Sequence, residues 1–209
     1  MKTRKSGGTI RPVAGRPEIL DAARSIGIRM GWRAVTIRAL AQQLGYTSPL
    51  LYEHFRDKRE ILTELAIEAQ IALAREMLTD LPADPDGAVL VMVERYWYFM
   101  LKNQQLYRLM NGMDGALIDR DRVTSAAQHS FQPAIAAVRA WLMSVCGCRS
   151  GAGRLFEDLW SVLHGMAALF LDRSAGFDVQ RAKDCVSRVL IGAKRQLRDN
   201  PRTSSSIRK

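Results

Sequence analysis

Apolar residues recur every three or four positions along nearly the whole chain, which is the spacing of a buried helix face. We find no convincing segment in which apolar and polar residues alternate between two turns, as a half-exposed strand requires. Prolines and glycines divide the helical pattern, with clear breaks at residues 81–85 and 111–115, and Pro133 kinks or restarts the helix that contains it. The sequence therefore predicts an all-α protein of about nine helices.

The segment at residues 36–58 constrains the fold further, because its pattern is that of a helix, a tight turn and a short second helix. Thr36 can cap a helix at Ile37–Leu44, and Gly45 can end it because glycine adopts the left-handed conformation at little cost. Thr47 can then cap the second helix. The apolar residues that would pack the two helices together are Leu40, Ala41, Leu44 and Leu51. This pattern predicts a helix–turn–helix, which places its second helix in the major groove of DNA.

The charge of the chain is strongly basic and unevenly distributed. The formal net charge is +10 and the pI is about 10.0, which favours a polyanionic partner, either a nucleic acid or an anionic membrane surface. Residues 1–60 contain 12 Lys and Arg against 5 Asp and Glu, whereas residues 61–209 contain 19 against 16. Residues 1–16, which we call the basic arm, contain no acidic residue. Such an arm is either a solvated tail or a DNA contact, and its basic residues are Lys2, Arg4, Lys5, Arg11 and Arg16.

The first 62 residues also contain a family pattern. It consists of Asp21-Ala-Ala, Gly31, Thr36-Ile37, Ala41, Leu44-Gly45, Leu51-Tyr52, His54-Phe55, Lys58 and Leu62. In this pattern the chain resembles the TetR/AcrR family of transcriptional regulators, from which it departs slightly at Ile26 and Tyr46. The resemblance implies a three-helix DNA-binding domain at 17–63 and a helical ligand-binding and dimerisation domain at 64–198. The basic arm precedes these domains, and a polar, disordered tail at 199–209 follows them.

The resemblance also implies residue roles in operator binding. The residues expected to contact phosphates are Thr36, Tyr52, His54 and Lys58. The residues expected near base edges are Arg38, Ser48, Pro49 and Leu50, and Thr47 is assigned to the same DNA-binding set. Their chemistry agrees, because arginine pairs with guanine in two hydrogen bonds and apolar groups contact the thymine methyl. The alternatives are a core position for Tyr52, a structural role for His54 and a solvated surface charge for Arg38.

The second half gives a weaker indication of a ligand cavity. Trp160 to Gly165 resembles the motif of a TetR subtype named for its Trp…His-Gly sequence, and Tyr107–Met110 is similar to that subtype too. Large apolar or aromatic residues at helical spacing are either cavity walls or ordinary core, and His164 is either a cavity residue or a buried histidine beside a close helix crossing at Gly165. The candidate ligand-binding residues are Trp97, Met100, Met110, Met113, Phe131, Trp141, Trp160 and His164.

The last predicted helix has an apolar stripe that suggests a dimer. We expect an isolated protomer to expose this stripe to water, so that two copies cover it with the help of the apolar segment Leu159–Leu171. The expected interface residues are Val179, Ala182, Val186, Val189, Leu190, Ala193 and Leu197.

Together these patterns predict a sequence-specific regulator that is cytoplasmic and nucleoid-associated. We expect it to be a homodimeric repressor that binds near-palindromic double-stranded DNA. A small apolar ligand is expected to release it from this DNA. We expect no cofactor, metal site, membrane partner or enzymatic activity, because no catalytic or metal-binding motif, signal peptide or membrane span is recognisable. The three cysteines, Cys146, Cys148 and Cys185, fit a reducing compartment better than a disulfide framework. The rival hypotheses are a ligand-independent architectural DNA-binding protein, a membrane-surface protein and an enzyme.

Overall fold

A computed structural model describes residues 15–147 and 150–199, in which ten helices and no strand are present. The helices are α1 Arg16–Met30, α2 Ile37–Leu44, α3 Ser48–Tyr52, α4 Lys58–Leu78, α5 Pro85–Lys102, α6 Gln104–Met110, α7 Arg120–Ser130, α8 Gln132–Cys146, α9 Ala152–Leu171 and α10 Val179–Asp199. The all-α prediction is confirmed. The count exceeds the expected nine because a break at Asn103 separates the short α6 from α5. Most of the basic arm, the tail from residue 200 and Cys148 lie outside the described residues.

The helix α2 begins and ends at the expected residues, and α3 begins directly after Thr47 as expected. Gly31 ends α1 with φ 81°, and Gly45 ends α2 in the left-handed conformation with φ 72°. The Thr36 hydroxyl accepts a hydrogen bond from the amide of Ala39 at 3.1 Å, which caps α2. Thr47 occupies the cap position of α3, but its side chain makes no capping hydrogen bond. Local rules therefore determine the geometry of the helix–turn–helix.

A close contact fixes the end of α1 against the second half of the protein. The ring of Trp32 packs so tightly on Gly27 that an added Cβ there would lie 2.0 Å from the ring. The indole nitrogen of Trp32 donates a hydrogen bond to the carbonyl of Gln105, at the start of α6, at 2.9 Å. The N-terminal helices are thus attached to the second half through α6.

The helix α4 joins the two halves without a linker. Its 21 residues begin at Lys58, directly after the cap residue Asp57, whose carboxylate accepts a hydrogen bond from the amide of Glu60 at 2.8 Å. It packs against α1 on one side and against α5, α6, α7 and α8 on the other. The domain boundary expected between residues 63 and 64 therefore falls inside one continuous helix.

The apolar stripe of α10 is covered within a single protomer, where α10 packs against α5, α8 and α9. Ala182 and Val186 are fully buried and Leu190 is 6% exposed, while the other four stripe residues are half-buried against the same core. The expectation that an isolated protomer exposes this row to water is wrong. An amphipathic stripe shows that a helix face is buried, but the covering surface here consists of α5, α8 and α9 of the same chain.

Candidate DNA-binding surface and internal cavity

The helix–turn–helix presents a group of exposed side chains, which we call the recognition surface. Tyr52 is 55% exposed, and Arg38 is exposed without an ion pair among the described residues. Thr36, Thr47 and Pro49 are also exposed, and Ser48 and Leu50 are half-buried. Leu51 and Phe55, in contrast, are buried. The surface thus offers one free guanidinium, hydroxyls and small apolar groups, which are the chemical groups that read base edges and phosphates.

Lys58 and His54 are more enclosed than the other predicted contacts. The Lys58 ammonium donates a hydrogen bond to the carbonyl of Arg33 at 3.1 Å, and burial lowers the pKa of this side chain. The Nε2 atom of His54 is buried and has no hydrogen-bond partner among the described residues. A phosphate contact by His54 would therefore need its Nδ1 atom or a movement of the ring.

Arg16, expected at the end of the basic arm, is the first residue of α1 and anchors the turn after α3. Its guanidinium carbon lies 4.1 Å from the centroid of the Phe55 ring, and Nη1 donates to the carbonyl of His54 at 2.5 Å. It also approaches the carboxylates of Glu60 at 3.5 Å and Glu64 at 3.4 Å. Arg16 therefore connects α3 with α4.

The second half contains a cavity of about 670 Å³ between α4, α6, α7, α8 and α9. This volume is within the range of roughly 300–1,000 Å³ that small-molecule sites occupy. Of the predicted ligand-binding residues, Met110, Phe131, Trp160 and His164 line it. The apolar wall is completed by Ile118, Val123, Ala127, Ile135 and Phe156, and the polar lining consists of Gln70, Asn111, Arg120, Thr124, Gln128, Gln132, Glu157 and Ser161, with the small Gly153.

The other four predicted ligand-binding residues do not line this cavity. Trp97, Met100 and Trp141 are packed in the core, and the Trp141 indole donates to the carboxylate of Asp86 at 2.6 Å. Met113 instead borders a separate depression beside Trp32. Trp97, Met100 and Trp141 thus occupy ordinary core positions, which was the alternative to a place in the cavity wall.

Sequence reasoning missed the contribution of α7 to the cavity. This helix contains several polar residues and only one buried residue, Val123, so its pattern gave no cavity signal. Arg120 at its start lies against Gly112, where an added Cβ would be 2.1 Å from the guanidinium. The glycine in the break after α6 was the available clue, since Gly112 has φ 66°, a conformation that favours glycine, and its missing side chain leaves space that Arg120 occupies.

A chain of hydrogen bonds runs behind the cavity wall from Tyr96 through Tyr107 to His164. The two tyrosine hydroxyls are 2.5 Å apart, and the Tyr107 hydroxyl is 2.7 Å from Nδ1 of His164. Burial raises the pKa of both tyrosines well above the usual value, so both hydroxyls keep their protons. Burial also lowers the pKa of His164, which favours the neutral imidazole.

The tautomer of His164 follows from the direction in which the buried Tyr96 hydroxyl donates its hydrogen bond. Tyr107 is the hydrogen-bond partner found for the Tyr96 hydroxyl, so Tyr96 donates to Tyr107 and Tyr107 donates to Nδ1 of His164. The reverse direction would leave the Tyr96 hydrogen unpaired in the core. The neutral imidazole therefore carries its proton on Nε2, on the side of the ring away from Tyr107.

Contacts at the start of α7 connect the cavity wall to α4. The amide of Asp119 donates to the hydroxyl of Thr63 at 2.9 Å, and Arg122 pairs with Glu64 at 2.8 Å. Glu64 is also the carboxylate that approaches Arg16 of α1. One glutamate thus links the cavity wall to the arginine that anchors the turn after α3.

Comparison with known proteins identifies the segment that contains the helix–turn–helix. The family model described as "Bacterial regulatory proteins, tetR family" matches residues 19–65, which span most of α1, all of α2 and α3, and the start of α4. Residues 19–65 therefore form a TetR-type N-terminal domain, and the relatives that match the chain are transcriptional regulators rather than enzymes.

Relatives of known sequence agree with the TetR assignment. An uncharacterized HTH-type transcriptional regulator of Mycobacterium tuberculosis is 28% identical over 176 residues, which are 79% of this chain and 76% of that protein. The class D tetracycline repressor of Escherichia coli is 34% identical over 106 residues, 49% of this chain and 43% of that protein. The chain thus matches less than half the length of the tetracycline repressor.

Solved structures show that the TetR-like fold extends over the second half. The TetR-family regulator PfmR from Thermus thermophilus has a TM-score of 0.58 at 22% identity, covering 82% of this chain and 96% of that chain. A protein of unknown function from Rhodococcus has a TM-score of 0.70 at 22% identity, covering 85% and 94%. The resemblance to the Trp…His-Gly subtype stays a prediction.

Among the described residues, no helix is both long and apolar enough to cross a membrane. Nor does the described part of the chain bring together three or more His, Cys, Asp or Glu side chains that could hold a metal ion.

Proposed function

We propose that this protein is a homodimeric repressor that binds near-palindromic operator DNA through α2 and α3 and is released when a small ligand fills the cavity. The observation that carries the proposal is the continuity of α4, which begins beside the recognition surface and ends in the second half. A ligand that shifts α7 against α4 would change the position of α3 relative to the DNA. The proposed domains are the helix–turn–helix at 17–63 and the ligand-binding part at 64–198.

In this proposal Arg38 reads a base, while Tyr52 and Lys58 contact phosphates. Arg38 is the exposed guanidinium on α2, and its freedom from ion pairs within the described residues leaves all of its donors available. Lys58 is already oriented by the Arg33 carbonyl, and a single hydrogen bond leaves two of its N–H groups for a phosphate. Thr36, Thr47, Ser48, Pro49, Leu50 and His54 complete the proposed contact set.

The proposed dimer uses the outer faces of α9 and α10, because the inner stripe of α10 is already covered. Leu169 is 47% exposed and Ile191 is 49% exposed. An added Cβ at Gly165 or Gly192 would meet no atom within 4 Å, so both glycines border open space. Apolar side chains beside glycines allow two helices to approach closely, and a two-fold axis would place the same surface on both protomers.

The test compares three substitutions that each remove one positive charge. Arg38→Ala should weaken operator binding by on the order of 10–100-fold and relax the preference at one base pair, because it removes a paired base contact. Lys58→Ala should weaken binding to all sequences alike and reduce the slope of log affinity against log salt by about one. Arg139→Ala is the control, since Arg139 is exposed on α8, outside the helix–turn–helix.

Selection from random DNA followed by binding titrations at several salt concentrations measures all three effects. If Arg38→Ala lowers affinity without changing base preference, the assignment of Arg38 as a base reader is wrong. A ligand-independent architectural protein would bind random and selected DNA with similar affinity. A ligand-independent function also does not require the cavity of about 670 Å³.

A further inference from the structure

We propose that the cavity binds a neutral, planar aromatic molecule that carries a carbonyl oxygen and a hydroxyl group at its edge. This inference rests on the proposed function and names the chemical class of its ligand. It follows from three features of the cavity wall: an aromatic cluster, two polar groups without partners, and opposite charges at the opening.

The aromatic cluster provides a surface for a flat ligand. The ring centroid of Phe131 lies 4.8 Å from that of Trp160 and 5.7 Å from that of Phe156. Phe156 and Trp160 are nearly parallel, with an angle of 28° between their planes, and both are half-buried where they line the cavity. Half-buried, nearly parallel rings at a cavity wall favour offset stacking with a planar aromatic molecule over contact with a flexible alkyl chain.

Gln70 contributes an unsatisfied polar group to the wall. The residue lies in the middle of α4, it is 5% exposed, and its Oε1 atom is buried without a hydrogen-bond partner among the described residues. Leaving such an atom unpaired is unfavourable, and a ligand group that pairs with it removes this cost. A hydroxyl group suits the position in either orientation of the amide, because a hydroxyl both donates and accepts hydrogen bonds.

His164 contributes a donor. Its Nδ1 atom is occupied by the Tyr107 hydroxyl, so the proton of the neutral ring is on Nε2, which has no partner among the described residues. His164 lines the cavity whereas Tyr107, which occupies Nδ1, does not, and from this arrangement we infer that Nε2 faces the cavity. A carbonyl oxygen on the ligand can accept this hydrogen bond.

The charges at the opening favour a neutral ligand. Arg120 and Glu157 are both exposed, both line the cavity, and neither forms an ion pair within the described part of the chain. Their charges are opposite, so they give no net attraction to an anion or a cation. Since His164 is uncharged, the rest of the wall does not favour a charged ligand either.

The experiment uses three probes with the full chain in calorimetric titrations. The probes are 2-hydroxyanthraquinone, which has the proposed groups, anthracene, which has only the flat ring system, and dodecanoate, which is an aliphatic anion. We expect 2-hydroxyanthraquinone to bind at least tenfold more tightly than anthracene, and dodecanoate to bind more weakly than both. Failure of 2-hydroxyanthraquinone to bind, or tighter binding of dodecanoate, overturns the proposal.

Gln70→Leu provides the matched variant. Leucine has a similar size and removes the unpaired amide, so the fold should be at least as stable by thermal unfolding. The affinity for 2-hydroxyanthraquinone should fall about 3- to 10-fold, the effect of one hydrogen bond, while the affinity for anthracene stays unchanged. An unchanged ratio of the two affinities refutes the role of Gln70. If the variant is unstable, His164→Phe replaces it, with the same expected loss of preference.

Operator binding separates this inference from the function on which it rests. If 2-hydroxyanthraquinone binds in a Gln70-dependent way but leaves operator affinity unchanged, the ligand class holds and ligand release fails. If dodecanoate instead binds and releases the operator, ligand release holds and the ligand class is wrong.

Discussion

Leu190 and Ile191 are adjacent in α10 but face opposite environments, so substitutions there separate folding from dimerisation. Leu190 is 6% exposed within the protomer, whereas Ile191 is 49% exposed on the outer face. Leu190→Ala removes a nearly buried side chain and leaves a space beside α5, which should cost about 2–5 kcal/mol of unfolding free energy. Ile191→Glu removes little buried surface from the protomer and should change its stability by less than about 0.5 kcal/mol.

The two variants should also differ in assembly. Ile191→Glu places a charge in the proposed seam, so sedimentation at several concentrations should show monomers that remain folded by circular dichroism. Leu190→Ala should stay dimeric while its urea midpoint falls, measured at a fixed protein concentration because dimerisation adds to apparent stability. Val186→Asp is unsuitable for this purpose, because Val186 is fully buried in the protomer and the charge would unfold it. If Ile191→Glu stays dimeric while Leu190→Ala is monomeric and fully stable, the assignment of both faces of α10 is wrong.

Three more outcomes are expected. Glu64→Gln breaks the exposed ion pairs to α1 and α7, so the unfolding free energy should fall by less than about 1 kcal/mol. The effect of operator DNA on ligand affinity should also become smaller, as measured by calorimetric titrations with and without DNA. Glu68→Gln, which loses only an ion pair to α1, is the control in these titrations. Because burial holds the pKa of His164 below its ordinary 6.5, the unfolded state takes up the proton first, and the unfolding free energy should decrease as pH falls below about 6.5, less steeply in His164→Phe. Asp57→Ala removes the cap of α4 and should cost about 0.5–2 kcal/mol in urea unfolding; an unchanged midpoint would mean that the cap contributes nothing.

The sequence predicted the helix–turn–helix well because its determinants are local. A threonine cap at Thr36, a left-handed glycine at Gly45 and an aspartate cap at Asp57 each act within four residues, and each is present in the structure. The family pattern added the residue roles in DNA binding between Thr36 and Lys58, which stay predictions.

The cavity and the dimer surface were harder to predict because they depend on which helices meet. Gln70 and Arg120 line the cavity only because α4 and α7 pack together, and polar residues in polar segments give no such signal. The stripe of α10 indicated a buried face correctly, but hydrophobic periodicity does not distinguish a neighbouring helix of the same chain from a second copy. Val186 and Leu190 therefore appeared to be interface residues although helices of the same protomer cover them.

The unbroken α4 gives the molecule the geometry of a rigid lever. Its 21 residues span about 30 Å at 1.5 Å per residue, so a tilt of only about 5° at the cavity end would displace the other end by about 3 Å. A hydrogen bond is lost over a displacement of roughly 1 Å, so this motion would be enough to disengage several contacts with DNA at once. In the proposed function, a rigid helix would convert a tilt too small to disturb the hydrophobic core into the loss of several DNA contacts, whereas a flexible linker at residues 63–64 would absorb the tilt.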